Sequence, residues 1–340
     1  MRNRFRVLYV APHGLGDLIM SLRAMEFLAA QGARTTVLVK SRSEANYLRH
    51  TSDLVFDEIL VLDTFRKHGN LLGNARLAWN LLLARYSAAV PQMNVNIKQF
   101  DIMLRSAGVS GRRKSVEVLR EATALGGPFH SRHKVDLNVD MAAQILGVSR
   151  PSSPAAVWPS RPLRPTSAPR IALAPGSGAV EAHKRWPAAY YADLARSIRA
   201  YYPKADIHIY GSASEAALCA EIEASSKGDA VVAKVGSVTD LFEALRETDI
   251  CIANCNGASH VAAHAGAVVL GIYGPTQAEH TGAHCSKLVQ VNRGLDCAPC
   301  YRRGYITGCG NPICLTELKV DLVRDAVLRL LSGTPASATS

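Results

Sequence analysis

The stretch Ile250-Cys251-Ile252-Ala253-Asn254-Cys255-Asn256-Gly257-Ala258-Ser259-His260-Val261-Ala262-Ala263-His264-Ala265-Gly266-Ala267-Val268-Val269-Leu270-Gly271-Ile272-Tyr273-Gly274 decides how the chain reads. Residues 250–253 are a short apolar run, the mark of a buried strand. The turn Asn254-Cys255-Asn256-Gly257 follows. Residues 259–267 then read as a small-residue helix, and residues 268–273 as a second strand that ends in Gly274-Pro275-Thr276. Strand, turn, helix and strand make a βαβ unit, whose turn lies at the carboxyl end of a parallel sheet. Open α/β sheets bind ligands there, and the N–H groups at a helix start favour an anion. The Gly-rich fingerprint is incomplete, so an ordinary βαβ unit with nothing bound stands as the alternative.

Outward from this unit the same alternation continues. Residues 170–174 read as a strand, Pro175-Gly176-Ser177-Gly178 as a turn, and Lys184-Arg185-Trp186-Pro187 as the entry to a helix over 188–201. Proline suits a first helical position. Residues 206–210 and 231–235 read as strands. Gly211-Ser212-Ala213-Ser214-Glu215 opens a helix, and another covers 241–246. The last helix is expected over 318–331, with a frayed tail at 333–340.

The first half repeats the pattern. Residues 5–11 read as a strand running into Pro12-His13-Gly14-Leu15-Gly16-Asp17, followed by a helix over 18–30 and strands at 35–39 and 56–62. Residues 71–86 have helix-compatible apolar content, and residues 140–148 read as a helix. Residues 149–169 alternate proline and serine, which reads as an extended linker. The expected architecture is therefore α/β, with two doubly wound, Rossmann-like domains facing a central cleft. The N-terminal domain is placed at 1–150, the linker at 151–169, the C-terminal domain at 170–332 and the tail at 333–340. The length of 340 residues favours two cores over one.

Hydrophobic content of 48% and charged content of 20% describe a globular protein. No run of about 18 uncharged apolar residues is present, so no spanning helix is expected. A formal net charge of +11 favours anionic partners. No basic motif interleaved with aromatics appears, which argues against nucleic acid. The basic start at Arg2, Arg4 and Arg6 precedes too short an apolar run for a signal peptide and reads as a cytosolic first strand. Eight cysteines in that setting suggest thiols or metal ligands rather than disulfides.

Several groups could carry chemistry. Asp17 opens a helix at the sheet's carboxyl end; it is either an N-cap or a working carboxylate. Lys184 can neutralise a diphosphate as a point charge, or lie as a surface lysine along Trp186. Gly176 and Ser177 offer N–H groups and a hydroxyl to the same anion. Asn256, Gly257, Ser259 and His260 stand at the helix start of the central unit; His260 could equally be a core histidine. Glu215 could accept from a ribose or serve as an early-helix glutamate. The run Arg105, Arg112, Arg113, Lys114, Arg120, Arg132, Lys134 is either a solvated face or a landing surface for a phosphorylated acceptor. Cys297, Cys300, Cys309 and Cys314 have the spacing C-x2-C-x8-C-x4-C, compatible with a closed structural zinc or iron site or with reduced thiols around a loop.

Taken together, these motifs resemble those of the heptosyltransferases of bacterial lipopolysaccharide synthesis, glycosyltransferase family 9. Gly14-Leu15-Gly16-Asp17 is similar to the family's Gly-Asp turn, and Pro175-Gly176-Ser177 with Lys184-Arg185-Trp186-Pro187 to its "PG(A/S)…K-x-W-P" segment. Asn254 to His260, with Tyr273-Gly274-Pro275-Thr276, resembles "N-D-(S/T)-G-x-x-H…(F/Y)-G-P-T". Gly211 to Glu215 and the late cysteines also match. The resemblance implies the GT-B fold and a cytoplasmic inverting glycosyltransferase, in peripheral contact with the anionic inner membrane. It would move a hexose or heptose from a nucleotide-diphosphate donor such as ADP-heptose to a phosphorylated glycolipid acceptor.

The resemblance also implies roles. Asp17 and Lys184 would be catalytic. Gly16, Gly176, Ser177, Lys184, Glu215, Asn256, Gly257, Ser259, His260 and Thr276 would hold the donor. His13, Arg112, Arg113 and Lys114 would hold the acceptor. No cofactor is needed for the step, and zinc or iron at the cysteines would be structural. Cys255 stands where the family has aspartate, and Asn256 where it has serine or threonine. The alternatives are a protein heptosyltransferase with a cysteine-bound metal and a non-catalytic member.

Overall fold

The computed structural model describes residues 5–62, 79–124, 132–150, 152–163, 166–178, 181–302, 305–306 and 309–333. The chain forms two compact units, Met1–Ala156 and Val157–Ser340. No described helix is long and apolar enough to cross a membrane.

In the first unit, β1 (Arg6–Ala11), β2 (Arg34–Val39), β3 (Glu58–Val61) and β4 (Ala88–Pro91) form a parallel sheet in the order β3-β2-β1-β4. β1 lies between β2 and β4 and is apolar from Val7 to Ala11, as a strand covered on both faces must be. Helix α1 (Leu15–Ala30) starts three residues earlier than its apolar periodicity suggests, with Gly14 at the N-cap in extended conformation. Asp17 is therefore inside the first helical turn. The N-cap reading of Asp17 is overturned; its charge instead complements the helix dipole.

Helix α2 (Arg42–Thr51) carries a capping box from Ser41 and Glu44. Helices α3 (Ile97–Ser106), α4 (Arg112–Ala124) and α5 (Lys134–Leu146) follow β4. The helix expected over 140–148 is the second half of α5, which ends at Gly147 with φ +70°. Asn138 on α5 donates to the Met20 carbonyl of α1 at 3.3 Å and accepts from Met93 N at 3.1 Å. This buried amide fixes α5 against α1 and against the turn after β4. Of the helix-compatible stretch 71–86, residues 71–78 lie outside the described residues and 79–83 are helical.

The second unit alternates β5 (Arg170–Ala174), α6 (Ala188–Tyr201), β6 (Asp206–Ile209), α7 (Ala216–Ser225), β7 (Val231–Val232) and α8 (Val238–Arg246). Then come β8 (Ile250–Asn254), α9 (Gly257–His264), β9 (Val268–Ile272), α10 (Ala278–Thr281) and β10 (Leu288–Val291). A short antiparallel pair, Tyr301–Arg302 with Tyr305–Ile306, precedes α11 (Ile313–Thr316) and α12 (Val320–Ser332). The six-stranded sheet runs β10-β9-β8-β5-β6-β7, all parallel. Read from β7, this is the doubly wound order 3-2-1-4-5-6, with its reversal between β5 and β8. The turns after those two strands open on one crevice. Trp186, Tyr191, Leu194, Ile252, Leu270 and Val327, none of them exposed, pack on the sheet.

The Pro/Ser stretch behaves differently in its two halves. Trp158 bridges to Cys285 and meets the His264 ring edge-on at 5.3 Å. The Arg161 guanidinium donates to the carbonyls of Thr248, Leu245 and Ala265, which close α8 and α9. Residues from Val157 on therefore belong to the second unit. Proline fixes extended backbone, and extended backbone can lie on a surface as readily as it can link. Of the expected tail, Gly333 caps α12 and residues 334–340 lie outside the described residues.

Candidate functional site

Three turns of the second unit are tied together by buried side chains. Asn254 ends β8 and is fully buried. Its Oδ1 accepts from Trp186 N and from the Tyr191 hydroxyl, both at 3.1 Å, and its Nδ2 donates to Pro175 O at 2.6 Å. Asn256 caps α9, accepting from Ser259 N at 3.0 Å. Its Nδ2 donates to Ala174 O at 2.9 Å and Gly176 O at 2.8 Å. Ser259 Oγ donates to Asn256 O at 2.7 Å. The turn after β5 is thus clasped by two asparagines from the turn after β8. An asparagine at the end of an otherwise apolar strand was the sequence signal for Asn254, since a buried amide must be bonded.

Glu215 joins the turn after β6 to the same loop. Its Oε1 accepts from Ser177 N at 2.8 Å and Gly178 N at 3.0 Å; its Oε2 accepts from Ser212 N at 2.9 Å and Ser212 Oγ at 2.7 Å. Burial pushes this carboxyl up, but the four donors outweigh it and hold Glu215 below the usual carboxylate range. A carboxylate has about four acceptor sites, and protein donors fill that number. Glu215 braces two loops and completes a capping box with Ser212. A Cβ at Gly176 would overlap this carboxylate, which is why glycine stands there.

Lys184 ends a single 3₁₀ turn, Ala182–Lys184, and is buried. Its Nζ donates to Glu181 Oε1 at 2.7 Å, so the reading as a surface lysine fails. Ser177 Oγ donates to Glu181 O at 2.6 Å and accepts from Arg185 Nε at 3.1 Å. Gly257 is the first residue of α9, with Ser259 and His260 buried in its opening turns. Thr276, also buried, lines a cavity of about 210 Å³ with Tyr273, Gly274, Gln277 and Cys314. The cap of α9 and Lys184 thus stand at turns linked by hydrogen bonds, an arrangement that suits a diphosphate. Cys255 Sγ lies 3.7 Å from Thr281 Oγ1 and 3.9 Å from Thr281 O.

In the first unit, Asp17 follows the carboxyl end of β1, and its side chain is 28% exposed. Lys134, the first residue of α5, places Nζ 2.8 Å from Asp17 Oδ1. The sequence reading counted Lys134 in a basic run and missed this role; no local signal links residues 117 positions apart. His13 N donates to Gln92 Oε1 at 3.2 Å, and Gln92 Nε2 donates to Ser21 Oγ at 3.2 Å. The His13 ring hydrogen-bonds the Asn94 backbone, and among the described residues its buried Nε2 has no hydrogen-bond partner. Burial lowers the His13 pKa, Lys134 and Lys40 act the same way, and Asp17 opposes them. Asn94 holds φ +68°, a left-handed conformation that asparagine tolerates.

The acceptor role expected of Arg112, Arg113 and Lys114 meets a topological obstacle. Ser110 N and Gly111 N donate to Tyr86 O and Ser87 O at the amino end of β4. β4 runs parallel to β1, whose carboxyl end leads to Asp17. The start of α4 and Asp17 are therefore at opposite ends of the sheet, roughly 13 Å of strand apart. Arg112 pairs with Asp101, and Arg113 and Lys114 are exposed. Of the expected acceptor set only His13 stands beside Asp17.

A metal at the late cysteines would draw on Cys297, Cys300, Cys309 and Cys314. Among the described residues, no group of three or more His, Cys, Asp or Glu is arranged to hold a metal ion. Cys297 and Cys309 are exposed, Cys314 is buried, and Cys309 Sγ donates to Asn311 O at 3.3 Å. Burial and then the nearby thiols of Cys300, Cys309 and Cys297 push Cys314 up to about 11. The thiols of Cys300, Cys309 and Cys297 all lie near enough to act on Cys314, and a metal would take them as thiolates, displacing their protons.

The model of glycosyltransferase family 9 (heptosyltransferase) matches residues 86–309. The lipopolysaccharide heptosyltransferase 1 of Pseudomonas aeruginosa is 29% identical over 122 residues, which span 35% of this chain and only 33% of that protein. The structure of E. coli ADP-heptose lps heptosyltransferase II superposes with a TM-score of 0.70 at 19% identity, covering 98% of this chain and 100% of that one. A family 9 glycosyl transferase from Veillonella parvula gives a TM-score of 0.71 at 17% identity, covering 98% and 99%. These likenesses show the GT-B fold, and the family match over most of the length shows descent: the chain belongs to glycosyltransferase family 9, the heptosyltransferase family.

Proposed function

We propose that the protein is an inverting heptosyltransferase that takes heptose from an ADP-heptose donor and adds it to the core of a lipopolysaccharide-type acceptor, in the cytoplasm at the anionic inner-membrane face. The observation that carries this reading is Asp17, a partly buried carboxylate in the first turn of α1, held by Lys134 at 2.8 Å. The likeness to the E. coli ADP-heptose lps heptosyltransferase II supports ADP-heptose as the donor.

Asp17 takes the proton of an acceptor hydroxyl while that oxygen bonds to the anomeric carbon. The bond from that carbon to the diphosphate oxygen breaks on the opposite face, so the configuration inverts. A positioned base of this kind contributes ~10²–10⁴-fold. In the second unit, Lys184 and the N–H groups at the start of α9 offset the charge growing on the departing diphosphate, the kind of preorganised electrostatics that usually contributes most. Gly176 and Ser177 shape that pocket, and Glu215, Asn254 and Asn256 hold its turns in place. His13 stands beside Asp17 as a contact for the acceptor.

The test is transfer of heptose from ADP-heptose to a lipopolysaccharide lacking heptose, followed by mass spectrometry of the product. A single heptose gain supports the reading. ADP-heptose binding without transfer to any lipopolysaccharide core would leave the non-catalytic reading, to which Cys255 points, in its place.

A further inference from the structure

The Lys134–Asp17 pair is built into a frame. Helices α1 and α5 both begin at the carboxyl end of the first sheet, and Asn138 pins α5 to Met20 O and Met93 N. Lys134 is the first residue of α5, so its stem leaves a fixed helix start. Its side chain is 17% exposed and that of Asp17 28%, which removes part of the solvent screening that makes surface pairs weak. Among the described residues, the charged groups that act on His13 after β1 come from three elements: Asp17 on α1, Lys134 on α5 and Lys40 at the end of β2.

The geometry points to Lys134 as a positioning residue for the transfer step, a role that rests on reading Asp17 as the base. Its ammonium holds the Asp17 carboxylate ionised and in one rotamer until the acceptor hydroxyl proton moves to Asp17. An opposite charge at this distance favours the charged form of a carboxylate. A carboxylate released from its tether loses alignment, and a misplacement of about 1 Å can cost about 10²-fold.

The experiment measures transfer from ADP-heptose to heptose-free lipopolysaccharide between pH 5 and 9 for the full chain and for Lys134→Met, Lys134→Arg and Asp17→Asn. Lys134→Met is expected to lower kcat about 10–100-fold, leave KM for ADP-heptose within about twofold, and move the acid limb of the kcat profile up by about one pH unit. Lys134→Arg keeps the cation and is expected to restore most of kcat and the wild-type limb. Melting curves separate folding from catalysis, and if Lys134→Met does not fold, Lys134→Gln takes its place. An unmoved acid limb in the charge-neutral variant overturns the proposal, whether kcat is unchanged or falls. Asp17→Asn reports separately: collapse there with an unmoved limb in Lys134→Met sinks the positioning role alone, whereas full turnover of Asp17→Asn sinks the reading of Asp17 as the base.

Discussion

Glu215 Oε1 accepts the Ser177 N–H at 2.8 Å, joining residues 38 positions apart and fixing the loop after β5 to the loop after β6. Two backbone N–H groups on one oxygen, and one N–H and one hydroxyl on the other, make this carboxylate a brace. Glu215→Ala should destabilise the second unit by about 2–4 kcal/mol, since several bonds to a charged group are lost and their buried donors are left unpaired. The folded value lies below the ordinary 4.5. The contribution is therefore complete above pH 4.5 and lost as pH falls through the folded value. Urea unfolding of the wild type and of Glu215→Ala from pH 7 to pH 3 should show the gap between them closing; a constant gap would reject the brace.

Asn254 has a comparable place at the end of β8. Removing it by Asn254→Ala strands Trp186 N, the Tyr191 hydroxyl and Pro175 O in a dry interior. The expected loss is about 2–4 kcal/mol. For a unit of this size that is a fall in Tm of roughly 5–10 °C. Calorimetric scans check this, and a shift below about 2 °C would mean water replaces the amide.

Lys184 is buried beside Glu181. Lys184→Ala should weaken ADP affinity about 10–100-fold, because charge-assisted contacts to phosphate are among the stronger ones. Titration calorimetry with ADP reads this directly. Unchanged affinity would remove Lys184 from the donor site.

His13 gives a pH signature. Its folded value lies below the ordinary 6.5, because burial disfavours the imidazolium and Lys134 and Lys40 add to that. The unfolded chain then binds more protons just below pH 6.5. Stability is complete above that pH and declines as pH falls from 6.5 through the folded value. His13→Gln should flatten this part of the stability profile, measured by urea unfolding from pH 7.5 to 5; an unaltered slope would show that His13 titrates as an exposed group.

The second unit was legible where burial is complete. The strand at 170–174 and the helix at 188–201 have the bounds that their patterns suggest, one apolar and buried from Ile171 on and the other opened by Pro187. β10 was not anticipated: Leu288–Val291 is a four-residue, partly exposed edge strand whose pattern is too short to register. The start of α1 was misjudged because Gly14, Leu15 and Gly16 carry no helical periodicity, although Gly14 makes an adequate cap. The run Arg112-Arg113-Lys114 shows why charge alone misleads. Composition reports how many cations a segment has, and not at which end of a sheet it lies. Lys134 is the converse case: only the packing of α5 on α1 reveals its partner.

The central claim is that Asp17 accepts the proton in a heptosyl transfer. The most direct measurement compares wild type and Asp17→Asn for ADP-heptose binding by calorimetry and for heptose transfer to heptose-free lipopolysaccharide by mass spectrometry. The account predicts donor affinity within about twofold and transfer lowered by about 10²–10⁴-fold. Transfer by Asp17→Asn at the wild-type rate would contradict it.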